Sequence, residues 1–202
     1  MSFIIENNTI MQYTGEADVH VVIPSHIKKI GYRAFKDAQI RGLTLNEGLV
    51  EIEDEAFAYN YIPSLIIPAS LKKIGSKAFS NCNITDLSFN VNEASITEHN
   101  TLRCLRTAGG IVNIGEKAFI NNKINHNITF PHTLRELNRK AFYNNYIPSV
   151  ILSKQLKIVG DYAFTDNPLS KVTLTSMDSL EYMGYMAMGR DTDNIEINFK
   201  ED

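Results

Sequence analysis

Residues 71–89 read LKKIGSKAFSNCNITDLSF, and this stretch contains every feature that recurs along the chain. It begins with two apolar residues three positions apart, Leu71 and Ile74, and a glycine follows the second. An Ala-Phe pair comes next, and another apolar residue lies five positions after the phenylalanine. The stretch ends with Leu87 and Phe89, whose spacing of two is typical of a short β-strand.

The Ala-Phe pair recurs six times, at intervals of 22, 22, 40, 23 and 22 residues. Its phenylalanines are Phe35, Phe57, Phe79, Phe119, Phe142 and Phe164. Such a period is the signature of a repeat architecture. Apolar pairs with a spacing of two follow the same period and predict eight short strands, at Val21/Ile23, Leu43/Leu45, Leu65/Ile67, Leu87/Phe89, Ile128/Phe130, Val150/Leu152, Val172/Leu174 and Ile195/Ile197.

A single repeat cannot fold alone, because about 22 residues supply only one short strand and a turn. Repeats must therefore stack, and strands at a spacing of about 4.8 Å would form a parallel sheet with a continuous core behind it. We expect this sheet on one face of a solenoid and the Ala-Phe segments on the opposite face.

The stretch 71–89 resembles the BspA-like class of leucine-rich repeat, which is found in many bacterial surface proteins. The resemblance covers residues 18–199, nearly the whole chain. It implies an α/β solenoid, a right-handed leucine-rich repeat stack of about eight short parallel strands. It also implies a role in adhesion or protein recognition and a location outside the cell or at its surface, although no signal peptide is visible in this chain.

Both ends of the chain depart from the repeat. Residues 1–17 are predicted to form a capping β-hairpin, because strand-like runs are joined there by an Asn-containing turn. Residues 18–199 are predicted to form a single solenoid. Near its end Met188 replaces the phenylalanine and lies 24 residues after Phe164, which predicts an irregular C-terminal capping repeat.

The interval of 40 residues contains 18 residues more than a normal repeat, and we place this insertion at about residues 90–108. Asn92 or Ser95 is a candidate helix N-cap, with a glutamate three residues after Ser95 and two glycines after the segment. We predict a short inserted helix that packs on the solenoid and leaves Arg103 and Arg106 in solvent. A neutral loop extension, which costs little free energy, is the alternative.

The third residue after each phenylalanine is predicted to point into the solenoid. Asparagine in this column can satisfy backbone N–H and C=O groups that would otherwise be buried without partners. Cys82 takes the same place and is interpreted as structural, so both cysteines, Cys82 and Cys104, are expected to be free thiols. The column consists of Ala38, Asn60, Cys82, Asn122, Asn145 and Asn167.

The composition excludes several classes of function. The net charge is −3 and no long run of like charges occurs, which argues against a nucleic-acid partner. No apolar stretch reaches the roughly 18 residues of a membrane span. His126 and His132 are the nearest pair of histidines and are interpreted as solvated loop residues. Because nucleophile, phosphate-loop and dinucleotide motifs are also absent, we predict no enzymatic activity, no cofactor and no metal site.

The sheet face carries the candidate binding surface. The sequence NYIPS occurs twice, at 60–64 and 145–149, and each copy leads into a strand whose exposed middle residue is isoleucine. The predicted site therefore combines two tyrosines and two isoleucines with the insertion, namely Tyr61, Ile66, Tyr146, Ile151, Arg103 and Arg106. The alternative is a recent duplication without a role in binding.

We accordingly predict a non-enzymatic recognition or adhesion module that presents its sheet face and inserted segment to a protein or glycan partner. A structural spacer within a larger cell-surface protein is the alternative. The chain is expected to be monomeric and not embedded in a membrane.

Overall fold

The computed structural model describes residues 2–90, 110–174, 178–189 and 196–199. The chain begins with the expected hairpin, in which β1 (Phe3–Glu6) and β2 (Thr9–Tyr13) pair antiparallel. Asn7 and Asn8 join the two strands with φ angles of 48° and 59°. Positive φ at both central residues suits a two-residue hairpin turn, and asparagine tolerates it better than most residues.

All eight predicted strands are present and pair parallel to their neighbours. They form three separate sheets, in the orders β3-β5, β7-β9 and β11-β13-β15-β17, where the sequence predicted one continuous sheet. Their bounds are β3 (His20–Val22), β5 (Gly42–Thr44), β7 (Ser64–Ile67), β9 (Asp86–Phe89), β11 (Ile128–Thr129), β13 (Ser149–Leu152), β15 (Lys171–Leu174) and β17 (Glu196–Phe199).

The predicted register of the last strand is wrong by two residues. Val172 pairs with Ile197, and Leu174 pairs with Phe199. The sequence had aligned Ile195 and Ile197 with these positions. The last repeat is longer than the regular ones, with 24 residues from Phe164 to Met188, so a constant period of 22 residues does not reach the correct partner.

A second sheet runs without interruption along the solenoid, and the sequence analysis missed it. It has nine strands, in the order β1-β2-β4-β6-β8-β10-β12-β14-β16. Seven of them have two residues each, which is too short for an alternating pattern to be recognised. These are β4 (Lys29–Ile30), β6 (Glu51–Ile52), β8 (Lys73–Ile74), β10 (Asn113–Ile114), β12 (Glu136–Leu137), β14 (Ile158–Val159) and β16 (Tyr182–Met183).

The assignment to the α/β class is wrong for the part of the chain that the structure describes. These residues form strands, turns and bends and contain no helix, so the fold is a parallel β-solenoid. The reason lies in the Ala-Phe segments, whose N–H groups donate alternately within the segment, as from Ala56 to Glu53, and to the next coil, as from Phe57 to Ala78, so no continuous helical ladder forms. The helix predicted at 90–108 falls almost wholly on residues 91–109, outside the described residues.

The six phenylalanines form one buried stack, as predicted. Neighbouring ring centroids are 4.8–5.6 Å apart, and all six rings are fully buried. The insertion does not interrupt the stack, because Phe79 and Phe119 are in contact at 5.5 Å. Tyr13 continues it at 5.1 Å from Phe35, exactly one 22-residue repeat earlier, so the hairpin also caps the aromatic core.

The repeated glycines allow the coils to approach closely. A Cβ atom on Gly115 would lie 2.6 Å from the carbonyl carbon of Gly75, and one on Gly160 would lie 2.4 Å from the backbone nitrogen of Arg139. The left-handed conformation that the turns require is adopted by other residues, namely Arg33, Glu55, Lys77, Lys117, Lys140, Tyr162 and Met186.

Candidate recognition surface

A buried asparagine column joins neighbouring coils through their backbones. Oδ1 of Asn60 accepts a hydrogen bond from the Ile40 N–H at 3.1 Å. Its Nδ2 donates to the carbonyl oxygens of Phe35 and Phe57 at 2.7 Å each. Asn122, Asn145 and Asn167 repeat this arrangement, which confirms the predicted structural role of the column.

Cys82 occupies the same column and is fully buried. Its Sγ donates to the Phe57 carbonyl oxygen at 3.0 Å, whereas its own backbone oxygen accepts from the Ile62 N–H at 2.8 Å. Burial raises the pKa of the thiol to about 12. Cys82 is therefore a protonated structural residue at neutral pH, and Cys104 lies outside the described residues.

Four of the six predicted binding residues lie on the exposed surface. The exposed fractions are 47% for Tyr61, 51% for Ile66, 60% for Tyr146 and 38% for Ile151. Strand register places Ser88 beside Ile66 and Thr129 beside Ile151, so the isoleucines belong to one column but are separated. Arg103 and Arg106 lie outside the described residues, and their place relative to this surface stays a prediction.

The residue column that follows the strands is partly buried. Pro68, Pro131 and Ser153 are buried, whereas Asn90 is exposed. The chain turns at these positions towards the nine-stranded sheet, and Ser153 donates from its hydroxyl to the His132 carbonyl oxygen at 2.7 Å. The accessible strand face consists mainly of the first and middle residues of the strands, as at Ser64 and Ile66.

A shallow depression lies beside Tyr61, and no pattern in the sequence indicated it. Nε of Arg41 donates to Oδ1 of Asp18 at 2.5 Å, and the guanidinium lies 5.9 Å from the Tyr61 ring centroid. Because these groups come from three successive coils, only the stacking brings them together. The lining residues are Asp18, Gln39, Arg41, Tyr59, Asn60 and Tyr61.

A row of exposed or half-buried amides runs along the corner of the solenoid next to this depression. Nδ2 of Asn121 donates to Oδ1 of Asn81 at 3.2 Å, and Nδ2 of Asn144 donates to Oδ1 of Asn121 at 3.0 Å. All three residues follow a stacked phenylalanine by two positions and have φ near 55°. The amides are thus held in a fixed row by each other and by their backbones.

Tyr59 is the exception in this left-handed column. Its φ is 63°, whereas every other member of the column is asparagine or aspartate, types that adopt this conformation more readily. The ring is 54% exposed and lies 5.8 Å from Nζ of Lys36. The remaining members are Asp37, Asn81, Asn121, Asn144 and Asp166.

His126 and His132, the two histidines that lie near each other in the sequence, are both partly buried. Nε2 of His126 accepts a hydrogen bond from the Leu87 N–H at 3.0 Å, and Nδ1 lies 3.0 Å from the Asn127 carbonyl oxygen. The bond to Leu87 lies between β9 and β11, two strands that do not pair with each other. His126 thus lies in a loop, as interpreted, but its side chain is only 35% exposed and is held by the Leu87 N–H. Burial, together with Lys154, lowers the pKa of His132. Within the described ranges, no three metal-binding side chains cluster.

No helix that could cross a bilayer occurs in the described part of the chain.

Stacked parallel coils with a phenylalanine core and a buried asparagine column define a repeat protein of the leucine-rich type. Residues 13–106 and 99–202 match the BspA type leucine rich repeat region, in six copies. The chain belongs to this family, as the sequence resemblance indicated.

Solved structures of bacterial leucine-rich repeat proteins share the fold at low sequence identity. The T. pallidum leucine rich repeat protein is 20% identical with a TM-score of 0.60, and the match covers 82% of this chain and 77% of that one. A leucine rich cell surface protein from Faecalibacterium prausnitzii is 21% identical with a TM-score of 0.53, covering 86% and 52%.

The pneumococcal vaccine antigen PcpA is 21% identical with a TM-score of 0.56, and the match covers 95% of this chain and 54% of the antigen. The chain therefore spans about half the length of two of these structures. No curated protein matches the chain. At these identities the likeness establishes the fold, and the ligands of these proteins do not transfer to this chain.

Proposed function

We propose that this chain is a non-enzymatic recognition module of a bacterial surface protein. Its strand face, with Tyr61, Ile66, Tyr146 and Ile151, contacts a protein or glycan partner. The observation that carries this proposal is the exposure of four large side chains on a rigid solenoid. Large exposed side chains of this kind are typical anchors of binding surfaces.

The rigidity of the strand face follows from the residues behind it. Leu65 and Ile67, on either side of Ile66, are each 1% exposed, and Val150 and Leu152 beside Ile151 are equally buried. The exposed isoleucines therefore project from backbone that the core fixes. Binding to such a surface needs little ordering of the module itself, which favours affinity.

The inserted segment is proposed to extend this surface. It follows β9, a strand that lies along the stack between β7, which contains Ile66, and β13, which contains Ile151. Arg103 and Arg106 would then add donors for carboxylates or hydroxyl groups beside the strand face. Replacing both arginines with alanine is expected to weaken partner binding without changing the melting temperature.

A protein and glycan array probed with the purified chain tests the proposal. For any partner found, the Tyr61→Ala/Tyr146→Ala variant should lose at least about 2 kcal/mol of binding free energy. Tyr32→Ala/Tyr185→Ala is the matched control, because these tyrosines are 54% and 62% exposed outside the surface. Equal affinity of the two variants would eliminate Tyr61 and Tyr146 as binding residues.

The continuity of the nine-stranded sheet favours a second candidate, a spacer that holds other domains away from the cell surface. A rigid stack can serve this role with no ligand. Replacing this segment, within the intact surface protein, by an unrelated solenoid of equal length distinguishes the two candidates. Unchanged adhesion would support the spacer, and lost adhesion would support recognition.

A further inference from the structure

We infer that the corner of the solenoid beside the strand face binds an extended neutral glycan. We call this surface the asparagine corner; it consists of Tyr59, Tyr61, Asn81, Asn83, Asn121, Lys123, Asn144 and Tyr146. These are the second and fourth residues after four successive phenylalanines of the stack. The inference rests on the proposed recognition role and assigns its ligand class.

The amide row supplies a repeated hydrogen-bonding pattern. A side-chain amide has two N–H donors and one oxygen with two lone pairs. The contacts between Asn81, Asn121 and Asn144 use a single N–H of each donor, so every rung keeps further capacity for a ligand. Vicinal hydroxyl groups of a sugar both donate and accept, which suits such a row.

The rungs are already ordered before a ligand arrives. Each amide is fixed by its neighbour, and the buried column behind it ties the same turn to the adjacent coil, as at Asn122 and Asn145. Little side-chain entropy is therefore lost on binding. The coils repeat at about 4.8 Å, so the four coils of the corner span roughly 14 Å, which suits a chain of several sugar rings.

Tyrosine rings stand at the two ends of the amide row. Tyr59 and Tyr61 border the depression at one end, and Tyr146 lies at the other, with exposed fractions of 54%, 47% and 60%. Such rings offer flat apolar faces to the C–H faces of sugars and a hydroxyl group at their edge. Tyr59 has a left-handed backbone conformation, at a position that asparagine or aspartate occupies in the other coils.

The chemistry of the corner favours a neutral glycan over a protein or an anion. Lys123 is its single charged side chain, so it offers little attraction to an acidic chain. Its central rungs present amides without any large apolar side chain, whereas the core of a protein interface is apolar. Planar amides between aromatic rings suit a ligand rich in hydroxyl groups.

Titration calorimetry with neutral β-linked oligomers of glucose, N-acetylglucosamine and mannose, from monomer to hexamer, tests this inference. We expect affinity to rise with chain length until the ligand spans the corner. Tyr59→Asn should weaken binding at least tenfold while the melting temperature stays equal or rises, because asparagine suits the left-handed position. A structural role for Tyr59 would instead lower the melting temperature.

Asn121→Gly/Asn144→Gly removes two rungs and keeps a residue that accepts positive φ. This variant should also lose at least tenfold in affinity. Asp37→Gly is its matched control, since Asp37 holds the same turn position one coil before Tyr59 and should leave binding unchanged.

The inference is overturned if none of the oligomers binds, or if the Tyr59 and asparagine variants bind as well as the parent. A protein partner that depends on Ile66 and Ile151 but not on Tyr59 would overturn it while leaving the proposed recognition function intact. Glycan binding that depends on the asparagine corner but not on Ile66 and Ile151 would support the inference and would exclude the strand face as the binding site.

Discussion

Asn122 donates from Nδ2 to the carbonyl oxygen of Phe79, one coil earlier in the stack, at 2.8 Å. The same side chain accepts, through Oδ1, from the N–H groups of Cys82 and Ile84 at 3.1 and 3.0 Å. One amide thus satisfies three buried backbone groups of the neighbouring coil. The coils on either side of the insertion are joined in this way although 40 residues separate their phenylalanines.

Asn122→Ala should lower the free energy of unfolding by about 3 kcal/mol or more, because several buried backbone groups lose their partner. Denaturant unfolding followed by circular dichroism measures this change. Lys123→Ala, an exposed neighbour in the same turn, is the control and should change stability by less than about 0.5 kcal/mol. Equal midpoints for the two variants would contradict the structural role of the amide.

Phe79→Ala and Phe142→Ala should each destabilise the protein by about 3–5 kcal/mol, because the lost ring leaves a cavity in a continuous stack. Phe79 contacts rings on both sides at 5.1 and 5.5 Å, so neighbouring coils cannot close the gap without moving apart. Calorimetric melting of each variant tests the prediction. Thermal midpoints equal to that of the parent would show that the rings do not form the core.

Glu55 makes the free energy of unfolding depend on pH in the acid range. Hydrogen bonds from Arg33, at 3.1 Å, and from Lys36 lower the pKa of its carboxyl group from 4.5 to about 2. Since the folded-state pKa is lower than the ordinary value, this contribution is fully present above 4.5 and is lost as the pH falls towards 2. Glu55→Gln should therefore lose less stability than the parent over this range.

Chemical unfolding at neutral pH and at several points down to about pH 2 measures the difference. Glu6→Gln, at an exposed position in β1, serves as the control and should follow the parent. A Glu55→Gln curve parallel to that of the parent throughout this range would contradict the assigned ion pairs.

Cys82 should be unreactive in the folded protein. Its side chain is fully buried and its pKa is raised to about 12, so almost no accessible thiolate exists at mildly alkaline pH. In a Cys104→Ser background, a thiol reagent should label no cysteine under native conditions and one cysteine in denaturant, as read by mass spectrometry. Rapid native labelling would place Cys82 at the surface.

The sequence predicted the parts of the fold that repeat. The period of the Ala-Phe pair located the phenylalanine stack, the buried asparagine column and the eight strands. It also indicated the family. The same spacing would have identified Tyr13 as the first ring of the stack, since Tyr13 precedes Phe35 by one repeat, but the missing alanine concealed it.

Errors arose where a prediction depended on more than local spacing. The two-residue strands of the long sheet have no detectable period, and the last strand follows a longer repeat, so its partners were misassigned. The α/β class was wrong for the described residues because the Ala-Phe segments hydrogen-bond between coils, as from the Phe57 N–H to the Ala78 carbonyl oxygen at 2.8 Å.

The sequence by itself determined which residues face the core, because burial of a periodic apolar column is the main way that such short repeats can be stabilised. The tertiary structure decided which exposed side chains meet. Arg41 reaches Asp18 and Tyr61, and Asn121 reaches Asn81 and Asn144, across coils that are 20 to 40 residues apart in sequence. Stacking at the spacing of β-strands brings these distant residues into contact, and no local pattern records which of them will lie side by side.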